Sequence, residues 1–344
     1  MSESKKINYF EWARAFGALA IVLLHLFSCQ LDNNGVDAVG VMRAIVYSDI
    51  QIIFTRWAVP VFIMITGALL LNPEKSLPYR KLWSYIRRML LVLATFGYLF
   101  CLMEVFAETK QVDPALFLRS FLNLIEGNSW SHMWYVYALI GLYILTPALK
   151  AFVGASSRHE LRIALIALFL ITSVIPSINV VAGVGITSFI ALPVYVFYYL
   201  FGYYAATFMK LSRIVAWIGA VAGALMVCAV TVSIAVGCGY ADWVYANYSA
   251  LIVVYSCFVF LVFKRFCNTP VVRGSLVGKL ASYSFGIYII HPLFINLVFK
   301  FTDAGILTVL FPGIGELALY LLVLGASVGC VWILKRVPGI QSLI

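Results

Sequence analysis

The chain contains ten apolar runs, each long enough to cross a bilayer as a helix, and this repetition restricts it more than any other feature. A window of about 19 residues finds them at roughly 9–30, 44–71, 87–107, 131–152, 161–179, 188–209, 214–236, 247–264, 280–300 and 315–335. Inside hydrocarbon every backbone N–H and C=O must be satisfied internally, which leaves helices or closed barrels, and these runs are too long for barrel strands. Of the 344 residues 63% are hydrophobic and 11% charged, against roughly 25% charged in soluble domains. Too few polar groups remain to cover a water-facing surface, and disorder and a secreted disulfide scaffold are excluded with it. The expected fold is all-α, a polytopic membrane helix bundle of about ten transmembrane helices. It is expected to form a single integral-membrane domain over 1–344, with no extra soluble domain at either end.

A net charge of +10 raises the question of nucleic-acid binding, and the distribution of the charge answers it. With the N-terminus in the cytoplasm, all but six of the 24 Lys and Arg fall on the cytoplasmic side. Arg43, Lys110, Arg119 and Lys300 lie outside, while Arg14 and Arg56 lie within the membrane. That asymmetry follows the positive-inside rule and places both termini in the cytoplasm. The excess charge therefore reads as orientation, and no nucleic-acid partner is expected. The opening MSESKKINYFEWARAF is not expected to be a cleavable signal peptide, because Glu11, Arg14 and His25 interrupt its apolar run and no small-residue cleavage site closes it. The seven cysteines show neither a CxxC nor a Cys/His metal spacing; they read as small buried residues, and no metal is expected.

Segments on the outer side carry their own pattern. Residues 114–128 place Phe117, Phe121 and Leu124 on one face of a short interfacial helix. GYADWVYANY (239–248), with Trp243 and Tyr245, and WSHMWYVY (130–137) supply aromatics suited to the headgroup boundary. Such rings also stack on sugars.

Ionisable side chains at bilayer depth cost about 2.5–3.5 kcal/mol each on insertion scales, so each needs a reason. The first helix holds Glu11, Arg14 and His25. Arg14 and His25 are eleven positions apart, which at about 100° per residue is three turns plus roughly 20°, so they share a face and are separated by ~16 Å along the axis. Glu11 and Arg14 alternatively form an i, i+3 anchor snorkelling at the cytoplasmic end. His25, in the outer half of the span among Leu23, Leu24, Leu26 and Phe27, points to function. Asp49 and Arg56 share a face of the second span, and Pro60 is expected to break that helix just beyond Arg56. A buried arginine beside a broken helix is an anion site or one half of an ion pair with Glu11 or Asp49. His132 and His291 border the outer half, whereas His159 sits in a charged loop and is expected to be solvated.

Four segments in order resemble the acyltransferase-3 family of integral-membrane O-acyltransferases. They are FEWARAFGALAIVLLH (10–25), RWAVPVFIMITGALL (56–70), HMWYVYALIGLYILTP (132–147) and SYSFGIYIIHPLF (282–294). The chain looks like the family's short, stand-alone O-acetyltransferase branch. Thr66 and Ala68 depart from the Ser and the Tyr or Phe common there, a difference that bears on packing. The resemblance implies a bacterial inner (plasma) membrane location, a cytoplasmic acyl-CoA co-substrate, acetyl-CoA by default, and a hydroxyl acceptor on a cell-envelope glycan or lipid-linked saccharide at the outer face. On that basis the catalytic set is His25, Arg14 and Glu11. His25 acts as general base or carries the acyl group covalently. Arg14 and Arg56 orient the donor or stabilise the oxyanion, and Glu11 holds Arg14. Arg56, Arg80, Lys81, Arg87 and Arg88 are the expected CoA-binding cations, the last four being equally explained by topology alone. His132, Trp134, Tyr135 and His291 are the expected acceptor residues.

Two readings from other classes compete. Many spans, a broken helix and buried charges suit a secondary transporter or a flippase for a lipid-linked sugar, although no internal repeat relates the halves. A membrane structural or sensor protein with buried ion pairs is the third.

Overall fold

A computed structural model describes residues 8–33, 53–186, 193–238, 244, 246–272, 274–302, 311 and 313–344. Among them every regular element is helical: α1 (Asn8–Asn33), α2 (Ala58–Leu70), α3 (Tyr79–Val92), α4 (Tyr98–Thr109), α5 (Pro114–Glu126), α6 (Trp134–Ala155), α7 (Arg158–Phe169), α8 (Ile175–Ala182), α9 (Val194–Phe208), α10 (Arg213–Cys238), α11 (Ala250–Phe266), α12 (Leu276–Phe301) and α13 (Ile314–Leu334). Eight stretches of the described residues are long and apolar enough to cross a membrane. The sixth and eighth expected spans are the helices α9 and α11, of 15 and 17 residues. At 1.5 Å per residue they measure roughly 22 and 25 Å, short of a hydrocarbon core of about 30 Å. Asp49, Trp243 and Tyr245 lie outside the described residues.

Two spans are continuous through a π-helical turn, α3 into α4 at Leu93–Gly97 and α7 into α8 at Leu170–Val174. A π turn widens the ladder and frees a carbonyl for another partner. Gly97 O accepts from Ser129 Oγ at 3.0 Å, which draws the loop before α6 against the end of the π turn.

Lipid gives helices no hydrophobic reason to associate, so close backbone approach and hydrogen bonding hold them together. The most extensive pairings among the described helices are α1 with α12 and α2 with α9. The second is an interlock of two glycines. A methyl group on Gly67 would lie 1.9 Å from Tyr199 O, and one on Gly202 would lie 2.0 Å from Met64 O. Only hydrogen fits at either point. Helix ends buried in the bundle need donors for their last carbonyls, and two lysines supply them. Lys264 Nζ donates to Ala205, Ala206 and Met209 O at 2.6, 2.8 and 2.9 Å, closing α9. Lys150 Nζ does the same for Leu70, Asn72 and Lys75 O after α2.

The expected break in the second span falls at Arg56–Trp57, immediately before α2. Pro60 has no N–H with which to reach the carbonyl of Arg56, so the ladder is interrupted at that residue. The interfacial helix α5 forms, with Asp113 accepting from Leu116 N and Gly127 left-handed at its end. Phe117, Phe121 and Leu124 fall on one side of the helix; Phe117 and Phe121 are exposed, while Leu124, at the edge next to the buried Leu116 and Ser120, is half-buried and its Cδ1 packs over Gly97. Gly97 leaves a depression there that an aliphatic tip fills.

Candidate active site

Three of the four histidines meet at one level of the bundle. Packing of α1 on α12 puts the His25 and His291 ring centroids 4.8 Å apart. The 3₁₀ turn Ser131–Met133, leading into α6, adds His132 at 6.2 Å from His25 and 5.8 Å from His291. His132 and His291 are 2% and 0% exposed, and His25 is half-buried. His132 is fixed from two sides: its Nε2 donates to Ile289 O at 3.3 Å, and the hydroxyl of Tyr288 donates to its backbone carbonyl.

The hydrogen bonds assign the tautomers, because a carbonyl oxygen accepts and never donates. His291 Nδ1 lies 2.9 Å from Ile287 O, four residues back on its own helix, and so carries a proton. Its Nε2 is then an acceptor. His25 Nδ1 lies 3.0 Å from Ile21 O and 3.1 Å from His291 Nε2. One N–H serves both acceptors, and His25 Nε2 is left with a lone pair. In its uncharged form the ring therefore presents Nε2 as a base, with its other nitrogen held by its own helix and by a neighbouring ring.

His25 borders two cavities. One, of about 270 Å³, is lined by Ile21, Arg56, Trp134, Tyr135 and Tyr288 among others. The second, of about 340 Å³, is lined by Glu104, Asn128, Trp130 and Asn296. Ser131, His132 and His25 belong to both walls. Along α1 and α12, Ile21 and Tyr288 of the first cavity lie on the basic-end side of the histidines, but its Ser28 lies beyond His25 and its Asn247 precedes α11, at the end away from Lys264 and Arg265. Glu104 and Asn296 of the second cavity lie towards the opposite end of their own helices. In the second cavity Trp130 stacks on Phe100 at 4.3 Å, and its indole Nε1 donates to Glu104 Oε2 at 2.9 Å.

The structure divides the expected site residues. His25, Arg56, His132, Trp134 and Tyr135 share the first cavity; Trp134 also stacks on Tyr195 at 5.2 Å. His291 touches His25 directly. Arg14 bonds Glu11 at 2.9 Å, with their side chains 31% and 14% exposed, and lines neither cavity. The cationic group on α3 does not converge on one point. Arg80, Lys81 and Arg87 are exposed, while Arg88 turns inward, its guanidinium 5.1 Å over the Phe285 ring and its Nε donating to Leu343 O at 3.1 Å. Glu104, Asn128, Trp130, Asn296 and Tyr288 were not expected at the site. Glu104 and Asn296 gave a signal, being polar groups inside apolar spans, and Tyr288 stands three residues before His291 in a segment already singled out. Among the described residues no group of three or more His, Cys, Asp or Glu could hold a metal ion.

The sequence profile of the acyltransferase-3 family, described as an acyltransferase domain, matches residues 7–336. The chain belongs to the acyltransferase-3 family. No curated protein and no solved structure matches it. As a family member with eight membrane-length apolar stretches among its described residues, this acyltransferase is a multi-pass membrane protein. The transporter and sensor readings give way to that assignment. All four segments that carried the resemblance lie inside the matched range.

Proposed function

We propose that this acyltransferase moves an acetyl group from acetyl-CoA, on the cytoplasmic side of a bacterial inner membrane, to a hydroxyl of a cell-envelope glycan entering from the other side. The observation that carries the reading is an imidazole, its Nδ1 engaged by Ile21 O and His291, that borders two cavities. One base bordering both can meet a donor held in one and an acceptor held in the other.

In this reading His25 Nε2 takes the proton of the acceptor hydroxyl as its oxygen attacks the thioester carbonyl carbon. The C–S bond then breaks, the ester forms, and the CoA thiolate recovers the proton from His25. The Arg56 guanidinium, in the same cavity, stabilises the negative charge that develops on the carbonyl oxygen. His291 Nε2 accepts more strongly from His25 Nδ1–H once His25 is charged, so the pair favours the transition state over the resting state. Arg14, held by Glu11 some 16 Å along the helix towards the basic end, suits the phosphates of the donor, as does Arg88. The cavity with Glu104, Asn128, Trp130 and Asn296 offers a carboxylate, two amides and an aromatic ring, the combination that binds a saccharide. Glycan recognition on that side shifts the acceptor role from Trp134 and Tyr135 to these residues.

The test is thiol release by purified protein given acetyl-CoA with and without a saccharide acceptor, alongside mass spectrometry of envelope glycans from cells with and without the gene. A well-inserted His25→Ala protein should lose both signals. Full activity in that variant would end the catalytic assignment.

A further inference from the structure

Away from the histidines, α7, α9 and α11 enclose a groove of about 880 Å³. Phe169, Phe197, Phe201 and Leu261 line its walls, and Arg158, Arg162 and Lys210 stand at one end. All three cations are exposed, and no Asp or Glu lines the groove. Ile166 and Val254, on its lips, are 54% and 39% exposed. They sit on helices at membrane depth, so the groove faces acyl chains. The cations lie at the start of α7 and just after α9, the end that the charge asymmetry places in the cytoplasmic leaflet. No residue of the groove lines either cavity at His25.

We infer that this groove is a binding site for an anionic phospholipid of the cytoplasmic leaflet. Its phosphate sits between Arg158, Arg162 and Lys210, and an acyl chain lies along Phe169, Phe197 and Phe201. Basic pockets between transmembrane helices on the cytoplasmic side recognise such headgroups, because each cation gains from the negative lipid while the chain replaces lipid contacts the helices would otherwise make. The volume lies within the range of ligand pockets. A zwitterionic lipid fills the same walls without the charge pairing, so the cations set the selectivity.

Native mass spectrometry of the full chain in detergent tests this, with phosphatidylglycerol and phosphatidylcholine of the same chains added in equal amounts. Wild-type protein should retain phosphatidylglycerol preferentially. The R158Q/R162Q/K210Q variant should lose about a hundredfold of that preference, near fivefold per cation. Ile166→Trp, which narrows the groove and leaves the charges intact, should lower retention of both lipids. Equal retention of the two lipids by wild-type protein would overturn the inference. So would an unchanged preference in the triple variant, or an equal loss in an R80Q/K81Q/R87Q control on the other basic surface.

Discussion

The contact between His291 and His25 makes a graded prediction rather than an all-or-none one. His291→Phe keeps a ring of similar size on α12 but removes the acceptor 3.1 Å from His25 Nδ1. His25 retains Ile21 O at 3.0 Å, so its tautomer survives and Nε2 remains a base. What is lost is a hydrogen bond that strengthens when His25 takes up a proton. Bonds to charged groups contribute about 1.5–3 kcal/mol, and 1.36 kcal/mol is about one decade in rate. The surviving bond to Ile21 puts the expected loss at the lower end, roughly 10- to 30-fold in kcat. His291→Gln places an amide group where Nε2 was and can accept the same proton, so it should recover most of that loss. The assay is thiol release from acetyl-CoA at saturating acceptor, with protein amount and thermal stability in detergent matched between variants. If the Phe and Gln variants lose equally, or if either is as dead as His25→Ala, the proposed role of the His291 acceptor is wrong.

Gly202→Ala should destabilise by more than the 1–3 kcal/mol typical of overpacking, because the new methyl meets the Met64 carbonyl at 2.0 Å. Gly141→Ala, with nothing within 4 Å, should be neutral or slightly stabilising in a thermal melt. Lys264→Met strips the donor from the carbonyls ending α9; at about 1–3 kcal/mol for an unsatisfied buried group, a loss near 2 kcal/mol is expected, while Lys279→Met on the surface should leave the melt unchanged. Glu104→Gln keeps an oxygen for the Trp130 indole and should raise the KM for the acceptor without moving that for acetyl-CoA. Equal effects on both substrates would reassign the second cavity.

Much of the bundle was legible because lipid forbids unpaired backbone, so long apolar runs could only be helices. What composition could not show was where the ladder deviates. The π turn at Leu93–Gly97 has no proline after it, whereas the one at Leu170–Val174 is followed by Pro176 and the interruption at Arg56 was marked by Pro60, each four residues on from a carbonyl it cannot reach. At the site, the cost of burying an ionisable group picked out His25, His132 and His291 and brought Arg56 into view. For Arg14 the same helix face came with about 16 Å of separation, and the fold adds its bond to Glu11 at 2.9 Å. Lys150 and Lys264 read as topological charges in sequence; only the fold shows them closing helix ends. The spacing placed Leu124 beside Phe117 and Phe121, but the depression over Gly97 that its tip fills is invisible in that pattern.

A ring that walls two cavities is also the partition between them, and that has a consequence for reading any mutant of it. Removing the imidazole takes away a base and at the same time removes a wall that the two cavities share. A truncated variant therefore confounds lost chemistry with a changed cavity shape, which alters how both substrates sit. His25→Gln, which leaves the septum standing without its base, is the substitution that separates the two.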